Sequence, residues 1–115
     1  MKKISTLLII LLMLGFSSSA QEISKEMPQG FDEERTGIAT GKIDTISYAS
    51  KTVGNTRKAL IYTPPGFSKK KKYPVLYLLH GIGGDEKEWL KGANPQVILD
   101  NLYAENRLQP MLVVM

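Results

Sequence analysis

The chain has 115 residues and a formal charge of +4, short enough, against a usual domain size of about 100 to 200 residues, to hold at most one domain. Apolar residues make up 43% and charged residues 23%, close to globular averages, which excludes disorder of the whole chain. With no Cys and a single His, His80, a disulfide framework, a thiol nucleophile, a Cys-based metal site and a multi-His metal centre are excluded together.

Lys2 and Lys3 precede the apolar run Leu7–Phe16, which is followed by the small residues Ser17–Ala20. This is the pattern of a secretory signal peptide over residues 1–20, too short for the roughly 20 apolar residues of a bilayer span. Cleavage is expected after Ala20, giving an exported protein, periplasmic or extracellular, with no stable membrane anchor. Loss of Lys2 and Lys3 lowers the formal charge to +2, 13 Lys and Arg against 11 Asp and Glu, so part of the basicity belongs to targeting. The remaining dense run, Lys69–Lys72, has no interleaved aromatics and sits between strand signals. It reads as a solvated loop, and no nucleic-acid partner is expected.

Residues 21–41 are polar, with Pro28, Gly30, Gly37, Gly41 and the acidic cluster Asp32–Glu34, and read as an arm or linker ahead of a domain over 42–115. Segments 43–49 and 57–62 are rich in β-formers and flank a turn cluster with Gly54-Asn55, which predicts an antiparallel hairpin. Pro64-Pro65-Gly66 ends its second strand, because proline cannot donate to a ladder. Val75–Leu79 is an unbroken apolar run and predicts a central strand covered on both faces. Asn94-Pro95 has the cap and first-turn pairing that opens a helix, and Ile98, Leu99, Leu102 and Tyr103 form one stripe expected in the core. Residues 111–115 are a second apolar run. Strand, helix and strand make a βαβ unit with parallel strands and a right-handed crossover.

Directly after the predicted central strand comes His80-Gly81-Ile82-Gly83-Gly84-Asp85. Glycines at the carboxyl end of a parallel strand let backbone N–H groups turn toward a ligand, since a residue without Cβ takes positive φ and allows close approach. A dinucleotide fingerprint would need glycine where Glu86 stands, and a phosphate loop would need Gly-Lys where the sequence has Glu86-Lys87. Both fail, and the carboxylates at 85, 86 and 88 would repel phosphate. What remains is a His-Gly-Gly-Gly type of loop, whose amides stabilise the negative oxygen of a tetrahedral intermediate.

The stretch from Gly41 to Met115, in particular Tyr62-Thr63-Pro64-Pro65-Gly66-Phe67, Tyr73–Gly84 and Glu88-Trp89, resembles the start of a secreted carbohydrate esterase of the feruloyl esterase and acetylxylan esterase group. The resemblance implies an α/β fold: the N-terminal part of an α/β-hydrolase, with an antiparallel hairpin leading into a mostly parallel sheet with a βαβ crossover. It also implies a Ser-His-Asp triad, no metal, no cofactor, and hydrolysis of ester-linked ferulic or acetic acid on plant xylan. On this resemblance the main-chain amide of Ile82 contributes to the oxyanion hole with that of Gly83, while His80, Gly81 and Gly84 shape the loop; Trp89 has two readings, lining the substrate pocket or packing beneath the loop.

A nucleophile elbow of the form Gly-x-Ser-x-Gly is absent; the nearest spelling, Gly66-Phe67-Ser68-Lys69-Lys70, lacks the second glycine, so Ser68 reads as a loop residue. His80 precedes any possible nucleophile and reads as orienting the glycine loop by hydrogen bonds. The final apolar run resembles a strand still in progress. A fragment is therefore expected, with the triad downstream, no activity of its own, and unpaired edges prone to aggregation. The alternatives are another esterase of the same fold, acting on siderophore esters or thioesters, and a non-catalytic exported adaptor with an esterase scaffold.

Overall fold

The computed structural model describes residues 26–115; the predicted signal peptide lies outside them. In chain order the elements are β1 (Lys42–Ser50), β2 (Asn55–Thr63), β3 (Val75–Tyr77), α1 (Glu88–Gly92), α2 (Pro95–Ala104) and β4 (Leu112–Val114). The four strands form one sheet in the order β1-β2-β4-β3.

The predicted hairpin is present. β1 and β2 pair antiparallel over nine positions, from Lys42 opposite Thr63 to Ser50 opposite Asn55. Its turn is closed by Gly54 N–H donating to Ser50 O at 2.9 Å, with Gly54 at φ +73°, a conformation that glycine adopts without steric cost. The hairpin's far end projects from the core, leaving Ile46 and Tyr48 exposed. Its near end is buried through Ala59, Leu60 and Tyr62.

β3 and β4 are parallel, with Leu76 opposite Val113, as the βαβ reading requires. Their places in the sheet differ from expectation. Among the described residues β3 is an edge strand of three residues, with Val75, Leu76 and Tyr77 each more than 40% exposed. The buried inner strand is β4, which sits between β2 and β3 and carries Val113 at 0% exposure. β4 runs antiparallel to β2, with Tyr62 opposite Val113, so the described sheet is mixed, an antiparallel hairpin joined to a parallel pair. Two apolar runs of equal length carry the same periodicity, and only the pairing decides which is inside.

α2 begins at Pro95 as predicted, but Asn94 does not cap it. Asn94 lies in the left-handed region (φ 41°, ψ 61°), and its side chain makes no capping hydrogen bond. The start is set by Pro95 at the first helical position, whose fixed φ suits that site. The apolar stripe of α2 divides between two faces. Leu99 and Tyr103 pack on the core of Leu60, Tyr62, Val113 and Met115, while Ile98 and Leu102 face Pro28 and Phe31 of the arm across a shallow recess.

From Glu26 onward the arm runs over α2. Asn101 Nδ2 donates to Phe31 O at 3.0 Å and to Glu33 O at 2.9 Å, and Arg35 pairs with Glu105 at 2.7 Å. Gly41 enters β1 against the ring of Tyr62. A Cβ at position 41 would lie within about 2.5 Å of both the ring and Thr63 O, closer than any side chain tolerates.

Candidate active site

The glycine loop leaves the carboxyl end of β3. Leu78 extends the ladder by one bond, its N–H donating to Val114 O at 2.8 Å, and the chain then departs from the sheet. Leu79 is 81% exposed; its carbonyl accepts the indole N–H of Trp89 at 3.2 Å. Gly84 N–H donates to Gly81 O at 3.1 Å, which closes a four-residue turn with Gly83 at φ +81°, the positive φ that a type II turn needs at its third position.

This turn divides the loop amides into bonded and unbonded ones. Gly81 N–H donates to Glu88 Oε2 at 3.2 Å, and Gly84 N–H is used by the turn. Among the described residues the amides of Ile82 and Gly83 donate to nothing. They stand in a loop whose residues Ile82–Asp85, with Glu88, Lys91 and Gly92, line an open depression of ≈ 460 Å³. Two adjacent free donors beside such a depression are the arrangement that an oxyanion cradle uses, since the donors are oriented before charge develops.

The neighbouring side chains brace the turn. His80 Nδ1 lies 2.8 Å from Gly81 O; because a carbonyl only accepts, this bond places the proton on Nδ1. Asp85 accepts Lys87 N–H at 2.9 Å and pairs with Lys91 at 3.5 Å. The Lys87 amide, ahead of the Lys91 charge, holds the Asp85 carboxyl below its usual range. Trp89 packs from beneath against the core and does not line the depression. Ser68 is a loop residue, its N–H donating to Tyr73 Oη at 3.0 Å. Among the described residues no three His, Cys, Asp or Glu side chains gather to hold a metal ion.

A second depression of ≈ 280 Å³ lies between the arm at Glu34, Arg35, Ile38 and Thr40 and the start of α2. It is the seam along which the arm docks. Two of its charged residues, Arg35 and Asp100, are already engaged with Glu105, Gly41 and Tyr62.

Residues 50–115 match the family model described as "Putative esterase", more than half of the chain. The chain belongs to this esterase family. It is 35% identical over 108 residues to an endo-1,4-beta-xylanase/feruloyl esterase of Xylanibacter ruminicola, a match over 87% of this chain and 15% of that protein. Among solved structures it is similar to a CE1 ferulic acid esterase from Anaeromyces mucronatus in complex with ferulic acid (TM-score 0.75, 32% identity, 83% of this chain and 35% of that one). It is also similar to a mutant feruloyl esterase module from Clostridium thermocellum complexed with sinapinate (TM-score 0.72, 26% identity, 86% of this chain and 34% of that one). The esterase chain thus spans about a third of these solved chains and has their α/β-hydrolase fold in part.

Within the esterase chain the loop residues read from the sequence are together: Gly81, Ile82, Gly83 and Gly84 form one turn, His80 bonds Gly81 O, and Trp89 bonds Leu79 O where the loop begins. Sequence reasoning missed Glu88. Read only as a repeller of phosphate, it is the acceptor that ties Gly81. The signal was its place in the same Glu88-Trp89 pair that carried the resemblance.

Proposed function

We propose that this chain supplies the oxyanion-stabilising part of an exported serine esterase that releases ferulic or acetic acid from plant xylan. The observation that carries the reading is the pair of unbonded amides of Ile82 and Gly83 beside an open depression. The xylanase and feruloyl esterase names of the relatives support the substrate class. In the proposed reaction a serine attacks the ester carbonyl, assisted by a histidine and an aspartate, all three outside this chain. The carbonyl oxygen becomes negative and is held by the two amides; the alcohol leaves, and water then hydrolyses the acyl enzyme. Loss of one such donor costs about 10²- to 10³-fold in rate. Export rests on the targeting pattern of residues 1–20, and a mature protein beginning at Gln21 would support it.

The test is release of ferulate and acetate from feruloylated and acetylated xylan by the protein expressed from its whole reading frame. Turnover of either ester is the expected result; no release of either acid overturns the reading. The isolated 115 residues should be inactive, and turnover by them that survives Ser68→Ala would contradict a nucleophile outside this chain.

A further inference from the structure

The carboxylate of Glu88 lies across the glycine loop and touches it in two places. Oε2 accepts Gly81 N–H at 3.2 Å, and the same carboxylate occupies the space above Gly84, where an added Cβ would collide with Oε2 and come within 2.9 Å of Cδ. The backbone of Glu88 is fixed in turn, its N–H donating to Asp85 O at 3.1 Å at the entry to α1. Gly81 and Gly84 are the two ends of the turn. The intervening amides of Ile82 and Gly83 have no hydrogen-bond partner among the described residues, and both residues line the depression.

Electrostatics alone would not put a carboxylate here. A negative charge next to donors meant for a negative oxygen opposes the charge they are to stabilise, by Coulomb's law at short range. Its benefit must therefore be geometric, because loop geometry is what sets whether preorganised donors reach the oxyanion.

We infer that Glu88 is a positioning residue for the ester hydrolysis proposed above: it pins Gly81 and seats against Gly84 so that the Ile82 and Gly83 amides stay open to the depression. The inference rests on that hydrolase reading. It separates reach from charge. Glu88→Gln keeps the length and an accepting oxygen and removes the charge, Glu88→Asp keeps the charge and shortens the reach, and Glu88→Ala removes both.

The experiment compares kcat and KM for ester hydrolysis in the whole protein for these three variants, together with hydrogen exchange at the Gly81 amide. Glu88→Ala and Glu88→Asp are expected to lower kcat roughly 10- to 100-fold, up to the lower bound for losing one oxyanion donor. KM should change by less than about threefold, and Gly81 exchange should speed up. Glu88→Gln is expected to keep kcat at or above the wild-type value, with Gly81 still protected. An active wild type with unchanged kcat in Glu88→Ala overturns the inference and leaves the hydrolase reading standing. A Gln variant as impaired as the Ala variant, with Gly81 protected, also overturns it, because charge and not reach would then be at work. A wild type inactive on every ester overturns the hydrolase reading itself.

Discussion

Tyr62 donates its hydroxyl hydrogen to Asp100 Oδ1 at 2.6 Å, and the same oxygen accepts Gly41 N–H at 2.8 Å. Both side chains are buried, Tyr62 at 0% and Asp100 at 3% exposure. One carboxyl oxygen thus joins the start of β1, the end of β2 and the middle of α2. The ring of Tyr62 also stacks parallel to that of Tyr103, 6.4 Å between centroids. Tyr62→Phe keeps the ring and removes one of the two donors to a buried oxygen, so it should lower stability by about 1–3 kcal/mol. Burial first, and then the bond to Asp100, push the Tyr62 hydroxyl well above its ordinary value of 10.0. The folded state therefore favours the neutral phenol, and this stability is complete below pH 10 and lost as pH rises beyond it. Denaturant unfolding at neutral and alkaline pH checks both points; equal stability of the two proteins at neutral pH would remove Asp100 as a junction.

The hairpin and α2 were legible because their signals are local: β-formers around a glycine turn, and an Asn-Pro pair before a helical stripe. The glycine loop was legible because its chemistry is in the main chain and needs only glycine spacing. The order of β3 and β4 within the described sheet was not legible. Val75–Leu79 and Met111–Met115 are both unbroken apolar runs, and burial depends on which of them β2 recruits. The docking of the arm was equally hidden, since Asn101 bonds backbone carbonyls of Phe31 and Glu33 that are 70 and 68 positions away. A carbonyl has no residue-type signature. The bond between Asp100 and Tyr62 joins a helix and a strand across 38 positions, and no local pattern links them.

Asn101 gives the arm its sharpest test. Its amide nitrogen donates to two carbonyls, while its buried Oδ1 has no partner. Asn101→Asp keeps the shape and replaces the donor by an acceptor facing Phe31 O and Glu33 O. Both bonds are lost, and a buried charge is set against two carbonyl dipoles, which costs more than a neutral deletion. The arm from Glu26 to Ile38 should become sensitive to limited proteolysis in the Asp variant, and more so than in Asn101→Ala. An Asp variant as resistant as the wild type would mean that the arm is held by its other contacts.

A second hold on the arm depends on pH. Glu105 accepts from Arg35 at 2.7 Å and from Arg107 at 3.1 Å, and these bonds, Arg35 first, keep its carboxyl below its ordinary 4.5. A lowered folded value contributes stability that is present above 4.5 and is lost as pH falls through the folded value. Protection of the arm amides, taken relative to their intrinsic exchange at each pH, should therefore be high at neutral pH and fall as the pH drops below 4.5 and the Glu105 carboxylate protonates. Glu105→Gln should show the fast limit already at neutral pH, with little further change on acidification. An acid response of equal size in both proteins would assign it to another carboxylate.

Trp89 distinguishes bracing from substrate contact. Its indole N–H reaches Leu79 O at 3.2 Å, its ring packs on the core, and the depression beside Ile82 is lined without it. Trp89→Phe keeps most of the aromatic surface and deletes the donor, so it should cost about 1 kcal/mol, the usual net worth of one hydrogen bond. Because Leu79 is the last residue before His80, the loss loosens the point from which the loop springs. Exchange at Gly84, whose amide closes the turn, should quicken in the Phe variant, and kcat for ester hydrolysis should fall while KM holds. The opposite split, a raised KM with unchanged kcat and an unchanged Gly84 amide, would show that the indole meets substrate directly and that the loop stands without it.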